Sequence, residues 1–187
     1  MKTGFVRWLT AAVGMSTFLG FLLAVPGYAA QKAGDNEIQL SGGFNRAQGS
    51  DTGTATADVS YAYFLSPSWA LGLRQTLSYS FIDDDDDVWT ASTVPFLNYH
   101  FRGLSLNDRF QPFLGAFAGA VYTEDDATGT IGPNVGFKYF VSDQTFVVAR
   151  YRYEWFFDEL ELSSVRNTSD GNHVVTVGFG FVWGAPR

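Results

Sequence analysis

Cysteine is absent from this 187-residue chain. That excludes a disulfide scaffold and lipid attachment through a terminal cysteine. Histidine is nearly absent, with only His100 and His173 present. Neither has a serine spaced to form a nucleophile–base pair, so a barrel enzyme acting on lipid is the weaker reading. Basic residues are scarce as well: 12 Lys and Arg stand against 19 Asp and Glu. A net charge of −7 argues against nucleic acid as a partner. Beyond residue 25 no apolar run approaches the roughly 18–20 residues of a membrane helix. If the mature chain crosses a membrane, it does so as a closed barrel.

One apolar run does exist, at the start. Lys2 and Arg7 precede a stretch from Trp8 to Val25, followed by "PGYAAQ". This is the pattern of a secretory signal peptide. Cleavage after Ala29 puts Gly27 and Ala29 at the small-residue sites; cleavage after Ala30 would put Tyr28 there. The expected organisation is a leader over 1–29 and one domain over 30–187. Removing Lys2 and Arg7 leaves ten basic side chains against 19 acidic ones, a net charge of −9.

What the chain has in quantity is alternation. In "VVTVGFGFVW" large apolar residues fall at Val175, Val177, Phe179, Phe181 and Trp183, with small or polar ones mostly between. Strict alternation marks a strand with two unlike faces. Eight such stretches are predicted: Glu37–Arg46, Ala55–Leu65, Trp69–Ile82, Val88–Phe101, Phe110–Tyr122, Thr130–Val141, Thr145–Phe157 and Asn172–Trp183. Most are about twice the usual globular strand and match the roughly 9–11 residues of a tilted membrane crossing.

Connections alternate too. The first, third, fifth and seventh are polar ("AQGSDTGT", "DDDDD", "TEDDATG", "DELELSSVRNTSDG"), whereas the second and sixth, "SPS" and "SDQ", are tight. Long loops on one side and short turns on the other is the asymmetry of an outer-membrane barrel. The fourth, "RGLSLNDR", is longer than a simple turn.

The seventh strand decides which face is which. Val147, Ala149, Tyr151, Tyr153 and Trp155 share one side; Arg150, Arg152 and Glu154 share the other. One arginine at mid-membrane on the lipid face costs roughly 2–4 kcal/mol, so the charges must point inward. The same phase puts Asp58, Arg74 and Lys138 in the lumen, where Glu154 and Asp58 are expected to bridge the cations. The fifth strand is apolar on both faces and its phase is open. Aromatic girdles are expected from Trp69, Tyr99, Tyr139 and Trp183 at one end. Phe81, Trp89, Tyr122 and Trp155 should form the other. A soluble lipocalin-like barrel would instead turn the fatty face inside.

"TVGFGFVW" resembles the C-terminal recognition strand of bacterial outer-membrane barrels, with Thr176, Gly178, Phe181 and Trp183 at the matching positions. Members mostly end on that aromatic, whereas this chain continues through Gly184–Arg187. With "VPFLNYHF", "QPFLGAFAGAVY", "GPNVGFKYF" and "VARYRYEW", the chain resembles the small eight-stranded OmpA/OmpX-type outer-membrane β-barrel family. The resemblance implies an all-β, eight-stranded antiparallel up-and-down transmembrane barrel in a Gram-negative outer membrane. It also implies recognition of that strand by the barrel-assembly machinery and contact with outer-membrane lipid.

The leading expectation is a non-catalytic barrel with a charge-filled lumen and acidic loops that offer a surface for an extracellular ligand. The alternative is a narrow porin-like channel. No cofactor or metal is expected: Asp83–Asp87 lacks the spaced ligands and glycine turn of a calcium loop.

Overall fold

The computed structural model describes residues 31–46, 53–81, 88–102, 109–123, 127–157 and 171–184. The leader and most of the acidic loop residues, Asp83–Asp87 included, lie outside the described residues. Eight strands form a closed ring: β1 (Asn36–Arg46), β2 (Gly53–Phe64), β3 (Trp69–Phe81), β4 (Val88–His100), β5 (Phe110–Tyr122), β6 (Ala127–Phe140), β7 (Thr145–Phe157) and β8 (Gly171–Trp183). Each pairs antiparallel with its sequence neighbours, and β8 closes onto β1. The expected all-β, eight-stranded antiparallel barrel is the fold observed. β6 starts three residues before its predicted Thr130, because Ala127–Gly129 still pair with β5.

The β2–β3 and β6–β7 turns are built alike. Backbone N–H groups of Ser68 and Trp69 donate to Ser66 Oγ at 3.3 and 3.0 Å. Those of Gln144 and Thr145 donate to Ser142 Oγ at 3.4 and 3.1 Å. A serine that satisfies two backbone donors reverses the chain in four residues.

The fatty face of every strand is the outside. On β8 Val175, Val177, Phe179, Phe181 and Trp183 are exposed, while Thr176 and Gly180 are buried. On β3 the exposed set is Trp69, Leu71, Leu73, Gln75, Leu77 and Phe81. This excludes the soluble barrel, whose apolar side would fill the interior. It also answers the open phase of β5: Gln111, Phe113 and Phe117 are buried inside, and Phe110, Leu114 and Tyr122 face out. The girdles form as edge or tilted ring pairs. Trp69 and Tyr99 lie 5.0 Å apart at one end, Tyr79 and Trp89 4.4 Å apart at the other, with Tyr153 and Trp155 at 4.9 Å.

Phenylalanine rings fill much of the interior opposite glycines. Phe96 lies over Gly72, Phe117 over Gly132, Phe113 over Gly136 and Phe146 over Gly180, each a direct cross-strand pair. A Cβ at any of these glycines would meet the ring. The missing side chain on one strand is the space its neighbour's ring occupies. Two buried apolar clusters result, one around Phe64, Phe96 and Phe117, the other around Phe113, Phe140 and Phe146.

This packing makes a test. In Gly180→Val the new Cβ would meet the Phe146 ring and the Ile38 carbonyl oxygen, the latter at 2.7 Å. The expected loss is about 1–3 kcal/mol of unfolding free energy in detergent micelles. Adding Phe146→Leu should recover only part of it, since the Ile38 contact is backbone. Full stability in the single variant would contradict the packing.

Candidate functional site

Among the described residues, charged side chains converge in the barrel interior. The alternation of β7 carries Arg150, Arg152 and Glu154 inward, β3 carries Arg74, β6 carries Lys138 and β2 carries Asp58. All but Glu154 are essentially without solvent exposure. Two groups of contacts form, at different depths.

The deeper group, toward the end with the tight turns, centres on Lys138. Its Nζ donates to Glu37 Oε1 and Oε2 at 2.7 and 2.6 Å and lies 2.9 Å from His100 Nε2. An ammonium has only donors, so the imidazole nitrogen accepts and the ring proton sits on Nδ1. The rings of Phe64, Phe113 and Phe146 surround the ammonium, with centroids 5.5, 5.8 and 5.0 Å away. Glu37 Oε1 also accepts from Gln39 Nε2 at 2.6 Å, and Gln39 Oε1 accepts from Arg150. Below it, Gln111 Nε2 donates to Gln31 Oε1 at 2.6 Å, closing that mouth further.

The outer group centres on Asp58. Its Oδ1 accepts from Arg152 Nη1 at 2.9 Å and from Thr76 Oγ1 at 2.7 Å. Arg152 Nε donates to Glu154 Oε1 at 2.6 Å. Above this pair the lumen widens into a cavity of about 370 Å³ whose walls carry Thr54, Thr56, Ser78, Ser80, Thr90 and Ser92. Pairs of these hydroxyls bond to each other: Thr54 to Ser80 at 3.1 Å and Thr56 to Ser78 at 3.2 Å.

Glu154 and Asp58, both expected to bridge the cations, each form an ion pair with Arg152 alone among the described ion pairs; Glu154 lies near the cavity and Asp58 is the better-buried partner. The reason is depth: Glu154 sits one inward position beyond Arg152 toward the wide end. Lys138 is not joined to either expected carboxylate but to Glu37, a residue that the expected network omits. The signal for Glu37 was present, since Ile38 and Leu40 face out and so turn Glu37, Gln39 and Ser41 in. His100, which has no serine spaced to pair with it in the sequence, is fully buried beside Lys138.

The C-terminal strand divides its residues between the two faces. Thr176 is buried in the lumen opposite Arg150; Phe181 and Trp183 face outward. A Cβ at Gly178 would meet the backbone of Leu40 and Ser41 at the β1–β8 seam. His173 lies outside, its Nδ1 2.7 Å from the Tyr151 hydroxyl.

No protein-family model and no curated protein matches the sequence. Solved structures do. OprG of Pseudomonas aeruginosa, an outer membrane protein, aligns over 84% of this chain and 100% of its own, at 12% identity and a TM-score of 0.52. Neisserial surface protein A aligns over 81% and 95%, at 14% identity and 0.53. The chain has the fold of the small eight-stranded outer-membrane barrels. The Yersinia pestis outer membrane protein Ail repeats the match, over 80% and 99% at 14% identity and 0.51. This is the architecture that the OmpA/OmpX-type resemblance implied. With an apolar band on the outside of a closed sheet, it places the chain in the outer membrane.

The Glu37–Lys138 pair can be tested by a double-mutant cycle. Lys138→Met or Glu37→Gln alone should each cost about 3–5 kcal/mol, because each leaves a buried charge unpaired. The double variant should cost clearly less than the two together. Additive losses would mean that the two charges do not interact.

Proposed function

We propose that this is a non-catalytic outer-membrane barrel whose lumen is sealed at its inner half and whose acidic loops are displayed outward. The observation that carries the reading is Lys138. Its side chain has no solvent exposure, is locked to Glu37 and is ringed by three phenylalanines. An eight-stranded barrel is only wide enough for side chains to fill it. Here aromatic rings and an ion pair fill it where a conducting path would have to run.

The arrangement supports the absence of catalysis as well. The buried imidazole of His100 has its Nε2 occupied by an ammonium, so it has no lone pair there to take a proton from a nucleophile. His173 is bonded to Tyr151 on the outer surface. The acidic loop residues, Asp83–Asp87 foremost, would attract cations or a basic extracellular ligand weakly and in a salt-screened way. Assembly is part of the same proposal. β8 closes the ring, and Thr176, Gly178, Phe181 and Trp183 are read by the barrel-assembly machinery.

A narrow channel is the second reading, and the hydroxyl-lined cavity favours it over the outer half. It would need Lys138 to leave Glu37. Planar-bilayer recording separates the two. The sealed barrel should give no steady current, and stepwise currents from the wild-type protein would favour the channel. In cells, Trp183→Ala should lower the inserted fraction; an unchanged yield would count against the assembly role.

A further inference from the structure

Among the described residues the lumen holds more positive charge than its own carboxylates neutralise. Arg74, Lys138, Arg150 and Arg152 face Glu37, Asp58 and Glu154 among the described lumenal residues. Each carboxylate is already engaged: Glu37 by Lys138, Asp58 and Glu154 by Arg152. Arg74 has no such partner. It is fully buried, and Nε, Nη1 and Nη2 all lack a hydrogen bond. Its guanidinium lies 4.9 Å from the Phe96 ring, a contact that leaves its in-plane N–H groups unused.

Arg150 reaches in from β7, four strands round the ring of eight from β3. Gln39 takes one of its N–H groups, but Nε and Nη1 are without a partner. Arg74 lies within electrostatic reach of Arg150 and Arg152 and of the carboxylates Asp58 and Glu154 that Arg152 already engages. Asn134, paired across the sheet with Arg152, has both amide atoms unpartnered as well. Buried guanidinium groups with open donors demand an acceptor. Asp58 Oδ2 is free to serve one of them. Sharing that carboxylate would still leave the charge of one arginine uncompensated.

We infer that the lumen binds one small monovalent anion of the halide class, held by Arg74 and Arg150 below Thr76. The entry path is the outer cavity, whose floor is formed by Thr76 and Arg152. Thr76 is the next inward residue of β3 after Arg74, so Arg74 enters the lumen one inward position below that floor. Arg74 makes no hydrogen bond, so turning it toward the cavity breaks none. The charge excess sets the valence at one. The near-complete burial of both arginines favours a monatomic ion over a larger oxyanion. The inference rests on the inward phase of β3 and β7, not on whether the barrel conducts.

The test is a halide titration of the full barrel in detergent, with chloride and bromide set against gluconate at constant ionic strength. Gluconate carries the same charge but is too large for the site. The folded-to-unfolded ratio should rise as one plus the halide concentration over its Kd, about elevenfold at ten times Kd, and stay flat in gluconate. Arg74→Met should lose the halide response. Equal responses in chloride and gluconate, or an undiminished response in Arg74→Met, would overturn the inference. Crystals of the wild-type protein grown in bromide decide the matter even if the variant fails to fold. An anomalous peak within hydrogen-bond distance of Arg74 supports the site. Peaks confined to the protein surface, an adventitious ion only, overturn it. So does an Arg74 bonded to Asp58 Oδ2 with no ion beside it.

Discussion

A bilayer interior offers no partner for a backbone N–H or C=O, so a sheet that crosses it must pair every strand on both sides. The β1–β8 seam, Asn36–Gly42 against Val177–Trp183, is where this chain meets that demand. Once the ring closes, each strand has an inside and an outside, and pleating assigns every residue to one of them. The fatty exterior, the charged interior and the aromatic girdles all descend from closure. Two ladders show its limits. Pairing lapses at Val94 and Pro95 between β4 and β5 and at Gly132 and Pro133 between β6 and β7. Proline has no N–H to give, and the neighbouring register holds the sheet together there.

The interior has to be filled without water's help in one half and with it in the other. In the inner half, Phe rings over glycines pack around Lys138, whose ammonium bonds both Glu37 and His100. In the outer half, small hydroxyl side chains replace the rings and the wall recedes into a cavity. Arg74, Arg150 and Arg152 lie at the boundary. A boundary of that kind is where charge remains uncompensated, because the packed side cannot admit a counterion and the open side can.

Much of this was legible in the sequence, for a stated physical reason. Two arginines and a glutamate in one phase of "VARYRYEW" fix β7, and antiparallel pairing then carries the phase round the ring. β5 resisted because "FQPFLGAFAGAVY" is apolar in both registers; its inward set is distinguished by Gln111 and by rings that need facing glycines. The pairing of charges was not legible. Which carboxylate meets which cation depends on the stagger between distant strands. Glu37 and Lys138 are 101 residues apart, and Asp58 and Arg152 are 94. Glu154 and Asp58 are both near the arginines by strand phase, yet depth in the barrel brings each of them to Arg152 alone among the described ion pairs.

Everything above depends on the strand phase, and the absence of native cysteine makes that phase directly measurable. Single cysteines placed in turn at Val147, Ala149 and Tyr151 on β7, then at Val148 on β7 and Thr76 on β3, can each carry a spin label in reconstituted bilayers. Relaxation by oxygen, which concentrates in lipid, is compared with relaxation by a water-soluble nickel complex. The account predicts high oxygen accessibility at Val147, Ala149 and Tyr151 and low accessibility at Val148 and Thr76. The opposite alternation would put Arg150 and Arg152 in lipid and contradict the account at its root.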